Sequence, residues 1–276
     1  MMKSIHSSAL AIGILMTLVG CAATEDLMSN LSSKESSRPI WADEPLISGD
    51  QCDTLTVDNI KSFLIKYSQA EDLESKSDEF GNEAMNTYTL ASVLINRSQL
   101  CLSHALALKS TTENLLKEKA ILLGGTSLSK KEIAQHREYS QAASKEIKAA
   151  SAQVDSLAPE QKKSLILGIT TYLSGTYTTM KIKKAMVKYV DKTSDKLSAT
   201  AKSAKSDYLG SAMDAVSGSF NSVLGDGKKI YDIVAGLPLH GKSLYETGTY
   251  FIEYANQQNL DLPSDTTDEF LSTVDW

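Results

Sequence analysis

Beyond its first twenty residues, this 276-residue chain has no run of eighteen uninterrupted apolar residues, so no helix there is a candidate to cross a bilayer. Histidine is scarce, and His104, His136 and His240 fall in three separate segments. None has a histidine or carboxylate four residues further on, the spacing of a helical metal site. No G-x-S-x-G elbow or comparable nucleophile setting occurs. Positive charge is not in excess: 28 Lys and Arg face 34 Asp and Glu, a formal charge of −6 that gives no general attraction to nucleic acid. Alternating strand patterns and fixed-period repeats are also missing, which excludes solenoids. With no metal cage and no assembled acid, base or nucleophile, the residues predict neither cofactor nor enzyme.

What is present is helical periodicity. Val57, Ile60, Leu64 and Tyr67 follow i, i+3, i+4 spacing, with Phe63 beside them. Ala84, Tyr88, Ala91, Ile95, Leu102 and Leu106 mark one side of a second helix, expected to run to Leu122 until Gly124-Gly125 stops it. Ser129 and Glu132 form a capping-box pair ahead of a third, whose inward stripe is Ile133, His136, Ser140, Ala143, Ile147, Ala150, Val154 and Leu157. There His136 reads as a hydrogen-bonded core or edge histidine. Pro159 suits the first turn of a fourth helix through Leu165, Ile169, Tyr172, Met180 and Val187, with a kink expected near Gly168 and Gly175. A thin small-residue pattern continues from Leu197 to Leu224, and Ile230 to Leu237 fits helix and strand equally well. Ser243 and Glu246 repeat the capping-box spacing before a last helix, and an acidic tail follows Pro263. The fold expected is all-α, long antiparallel helices in a bundle.

Lys3, the apolar segment Ala9 to Val19 and Leu18-Val19-Gly20-Cys21 stand in an order that resembles the signal peptide and lipobox of bacterial lipoproteins. The resemblance covers residues 1–21 alone. It implies diacylglycerol on the Cys21 sulfur, cleavage before Cys21 and acylation of the new amino terminus. Ala22, in place of an aspartate, implies the outer membrane, facing the periplasm, with surface exposure left open. Residues 21–50, rich in Ser, Asp and Glu, read as a lipidated tether, flexible or partly draped on the domain, with a reach of roughly 30 Å. Residues 51–276 read as the helical domain, with a possible subdivision near 206–228.

In an oxidising compartment Cys52 and Cys101 read as a disulfide, with two buried thiols as the alternative. It would staple an N-terminal helical hairpin with its tip near Ser75-Lys76-Ser77. Cys101 and His104, one turn apart, would suit a zinc or thiolate–imidazole pair if Cys52 did not claim the sulfur.

Gly236 to Ser243 match a Walker A motif letter for letter. No strand ending in a metal-binding aspartate accompanies them, and a helix joint built with Gly and Pro explains the same letters, so nucleotide binding is not expected. Residues 161–205 hold ten lysines against Asp191 and Asp195, while 244–276 carry acids and no base. The two are expected to attract within the fold. The sharper reading makes Lys181, Lys183, Lys184 and Lys188 a contact face for anionic headgroups or an acidic partner, with Tyr172, Tyr177, Met180, Met186 and Tyr189 as apolar company or simply as core. Tyr245, Tyr250, Phe251 and Tyr254 read as packing of the last helix or as the lining of an apolar cavity. The expectation is a non-enzymatic envelope lipoprotein that binds an unidentified envelope protein as an interaction or scaffolding component. The alternative is a carrier holding lipid or another apolar ligand between its helices.

Overall fold

The computed structural model describes residues 38–68, 81–154, 156–204, 233 and 239–273, with backbone alone for 81–82, 184–185 and 188–204. The lipobox, Cys21, the expected hairpin tip and the possible subdivision lie outside the described residues. Eight helices follow in order: α1 Pro45–Ser48, α2 Val57–Tyr67, α3 Gly81–Ala105, α4 Lys109–Leu122, α5 Lys130–Ser151, α6 Pro159–Ala204, α7 over 239–257, and α8 Ser264–Leu271. A 3-10 turn at Gly125–Ser127 joins α4 to α5. No strand occurs among the described residues, and the helices pack together as an all-α bundle.

Helix α3 is the axis of the bundle. Residues 87–103 are buried without interruption, where one-sided burial was expected. The reason is that its polar side chains have partners. Ser98 donates to Gly168 O at 2.7 Å, Gln99 to Ser140 O at 2.8 Å and Asn96 to Leu115 O at 2.9 Å, while Ser92 and Thr89 return their hydroxyls to carbonyls four residues back. Each face is thereby committed to a different neighbour.

Helix α6 runs antiparallel to α3. Gln161 bonds Ala105 O, Cys101 Sγ lies 3.1 Å from Ser164 O, and Gly168 and Gly175 lie against Leu102 and against Ala91 and Ile95. The two glycines were expected to kink α6. The helix runs unbroken through both, and they let two backbones approach. A Cβ on Gly175 would lie 2.9 Å from Ile95 Cγ1 and 3.1 Å from Ala91 O.

The second predicted helix divides. Ala107 takes a left-handed φ of 57°, Leu108 N–H reaches Ser103 O at 2.8 Å and Ala107 N–H reaches His104 O at 3.1 Å, a Schellman closure without glycine. The chain turns there, and α4 folds back along α3. Asn259, with φ 52°, closes α7 in the same way, and Leu260 N–H bonds Ala255 O. The Ser129–Glu132 capping box is present and opens α5, which ends at Ser151, so Val154 and Leu157 follow the helix rather than extend its stripe. Ser243 is not a cap: it lies inside α7, which already includes residue 239. The acidic tail contains α8, whose Phe270 stacks on Tyr245 at 5.1 Å between ring centroids. Helix α6 reaches Ala204, and the weak pattern beyond it lies outside the described residues.

The domain begins at or before Arg38 rather than at residue 51. Trp41 and Ile47 are fully buried, and Trp41 Nε1–H donates to Asn86 Oδ1 at 3.1 Å. Besides Asn86, two further residues of α3 hold this segment. Buried Arg97 donates through Nε to Leu46 O at 2.7 Å, and through Nη2 to Gln51 O at 2.7 Å and Thr54 Oγ1 at 3.1 Å. One turn later Cys101 is disulfide-bonded to Cys52, with Cα atoms 5.0 Å apart. The staple therefore grips the turn ahead of α2.

Gly175→Ala should lower the melting temperature by overpacking the α3–α6 contact, although alanine is the better helix former by about 1 kcal/mol. An unchanged or raised melt would mean the helices can separate slightly without loss. Cys52→Ser should lower the non-reduced melt, since the closed loop contributes on the order of 4 kcal/mol. Equal melts for variant and parent would show that the bond adds nothing.

Candidate functional site

Four helices bring a titratable cluster together inside the bundle: Tyr88 from α3, Glu118 from α4, His136 and Arg137 from α5, and His240 from α7. Glu118 and His136 are each 1% exposed, and His240 is 3%. Each is placed by an apolar neighbour on its own helix: Leu115 and Leu122 flank Glu118, Ile133 precedes His136, and Leu244 follows His240.

Asn96 donates to Glu118 Oε2 at 3.0 Å, and Glu118 Oε1 lies 3.5 Å from His136 Nδ1. On the other side of the ring, His136 Nε2 and the Tyr88 hydroxyl are 2.8 Å apart, and Arg137 Nε–H donates to that hydroxyl at 3.2 Å. Arg137 also donates to Ile233 O. The His240 ring meets His136 edge-on at 6.1 Å.

Burial pushes Glu118 up to about 8, against a weaker downward pull from Asn96. Burial holds His136 well below its ordinary 6.5, with His240 and Arg137 adding to the effect. Burial, then Arg137, brings His240 down to about 3. Near neutrality Glu118 is therefore protonated and both imidazoles are neutral, leaving Arg137 as the cation of the group. Imidazole and phenol can each donate and accept, so the hydrogen between His136 Nε2 and Tyr88 can run in either direction, while His136 Nδ1 makes no hydrogen bond and only approaches Glu118.

His136 is thus the hydrogen-bonded core histidine that its seam position predicts. Its meeting with Glu118 and His240 was missed. Glu118 stands between Lys117 and Lys119 in the sequence, and no spacing links it to positions 136 and 240. Among the described residues no three His, Cys, Asp or Glu are arranged to hold a metal ion. Cys101 is in the disulfide and His104 is exposed, so they form no reactive pair.

The Walker A letters 239–243 are helical, and Lys242 projects to solvent to pair with Glu246 at 3.7 Å. A phosphate-cradling turn needs non-helical backbone there. Of the basic face, Lys181 lies 5.0 Å over the Tyr177 ring and Lys183 is half-buried, while the side chains of Lys184 and Lys188 lie outside the described set. Tyr172, Met180 and Met186 are core, and Tyr189 lies outside the described side chains. Tyr172 meets Phe251 at 5.1 Å, and the Tyr250 hydroxyl is 2.8 Å from Ser151 Oγ, so the terminal aromatics pack on the bundle and on one another.

At the surface, α1 and α2 border an open cleft of about 320 Å³. Pro45, Leu46 and Phe63 supply its apolar lining, and Glu44, Asn59, Lys66 and Tyr67 its polar edge. Glu44 accepts hydrogen bonds from Lys66, at 2.7 Å, and from the Tyr67 hydroxyl. Ile40 and Ile65, on the two chain segments that form the cleft, are 81% and 84% exposed.

No family model, curated protein or solved structure matches this chain.

Glu118 supplies a pH test. Its folded-state value of about 8 exceeds its ordinary 4.5, so its contribution is fully present below 4.5 and is lost as pH rises through 8, at about 1.4 kcal/mol per pH unit. Gln does not titrate. The melting temperature of Glu118→Gln relative to the parent should therefore climb from pH 5 to pH 8. A flat difference would show that the carboxyl is not held neutral.

Proposed function

We propose that this protein is an outer-membrane lipoprotein, anchored by diacylglycerol on Cys21 and facing the periplasm, that works by binding an envelope protein. The anchor rests on the lipobox resemblance. The binding reading rests on the N-terminal cleft, with its apolar lining and polar rim, and on two exposed isoleucines, Ile40 and Ile65, outside that lining on the same chain segments; Arg97 and the Cys52–Cys101 bond hold the chain between them to α3. Protein interfaces combine such an apolar centre with a polar edge, and a pre-ordered surface loses less entropy on association. Binding is favoured over catalysis because the titratable groups that converge are sealed inside the bundle. It is favoured over the carrier alternative because α3 occupies the centre where cargo would lie. The lysines at 181, 183, 184 and 188 offer a second contact face for anionic lipid or an acidic partner.

A photo-crosslinking residue at position 65 or 40 of the full-length chain, in its own host, should trap the same protein from both positions. Adding Ile40→Glu should suppress capture from position 65, and a probe at exposed Lys145 on α5 should not trap that protein. Equal capture at 145, or no protein adduct at either isoleucine, would overturn the reading. Intact mass of membrane-extracted protein should show di- or triacylation, and an unmodified mass would remove the anchor.

A further inference from the structure

The meeting of His136 and His240 has a chemical peculiarity. Two buried imidazoles face each other at 6.1 Å, and the carboxyl beside them is itself protonated near neutrality. The groups around them come from every helix packed there. Tyr88 of α3 and Glu118 of α4 are neutral, Arg137 of α5 is cationic, and Tyr172 of α6 is a neutral phenol held up by burial that does not act on the rings. On α7 itself the Lys242–Glu246 pair is solvent-exposed and weak. A proton arriving on either imidazole therefore meets a second imidazole with a guanidinium nearby, and the one carboxyl within reach, Glu118 at 3.5 Å from His136 Nδ1, is held protonated by burial.

We propose that the His136–His240 contact is an acid-sensitive latch, whose protonation parts the 239–244 stretch of α7 from α5 while α3 and α6 stay packed. The release is local because the next turns of α7 are held separately. Tyr250 bonds Ser151 Oγ at 2.8 Å and Lys148 O at 3.1 Å, Phe251 meets Tyr172, and Gly248 lies under Phe270. The α3–α6 contact is close backbone packing with no histidine in it. The latch turns on Leu244, which is buried while it is closed in the part of the core that also holds Leu115, Ala143 and Ile147, so opening uncovers apolar surface there.

The sign follows from the neutral state of the rings. An imidazole whose folded-state value is depressed contributes stability that is present above its ordinary 6.5 and is lost as pH falls below it. Glu118 changes in the opposite sense and does not supply the acid response.

Hydrogen exchange of the full chain, corrected for the intrinsic rate, tests the latch at pH 7.5 and pH 5. Protection over 239–245 should fall about tenfold or more, while 250–257 and 87–103 change little. His240→Gln should abolish that pH difference. Uniform loss across all three regions, no loss at 239–245, or a pH difference that survives in His240→Gln would each overturn the proposal. Histidine NMR of the unaltered protein covers a variant that fails to fold. Both imidazoles should stay neutral well below pH 6.5 and then change together with the loss of protection at 239–245. An ordinary titration of either ring without that loss would also refute it.

Discussion

A helix surrounded on every side must find partners for most of the polar groups it carries, and α3 carries many, with Asn96 Oδ1 and Arg97 Nη1 left without one. Thr89, Ser92, Asn96, Arg97, Ser98, Gln99 and Ser103 all lie in its buried stretch. An unpaired buried donor or acceptor costs about 1–3 kcal/mol, comparable to the stability margin left by one or two contacts. That constraint orders the surrounding elements. Gln99 faces α5, Asn96 faces α4, Ser98 faces a carbonyl of α6 and Arg97 faces the N-terminal segment. An all-leucine axis would tolerate sliding and rotation of its neighbours; hydrogen bonds with one geometry do not.

The same requirement accounts for the interior cluster. Glu118 enters the core with Asn96 donating to it and His136 3.5 Å away, and it enters without its charge. His136 is oriented between Glu118 and Tyr88, and Tyr88 is in turn fixed by Arg137. Leaving one guanidinium as the cation near neutrality limits the desolvation cost that a fully ionised group would carry.

Local chemistry in the sequence reported most of the helices, and non-local convergence was not visible in it. Ser129 with Glu132 and Pro159 marked two starts because capping and proline act within a single turn. Cys52 and Cys101 were legible as a pair because few alternatives existed. The break at Ala107 was not, since Leu106-Ala107-Leu108 carries no glycine and its left-handed turn is secured by carbonyls of α3. Gly168 and Gly175 suggested a weak helix when read alone; only the neighbouring Leu102, Ala91 and Ile95 reveal them as points of close approach. Trp41 looked like part of a tether because its partner Asn86 lies beyond α2. Glu118 and His240 gave no sign at all, because distance in three dimensions leaves no period in one.

Arg97 and Cys101 sit one turn apart on the same stripe of α3, and both grip the segment around Cys52. The two grips fail under different conditions. A reductant severs the sulfur bridge yet leaves three guanidinium hydrogen bonds, to Leu46, Gln51 and Thr54. A chaotrope weakens those bonds but does not cut a covalent link. The amino-terminal flap is thus held by two unlike chemistries, so neither insult alone removes both.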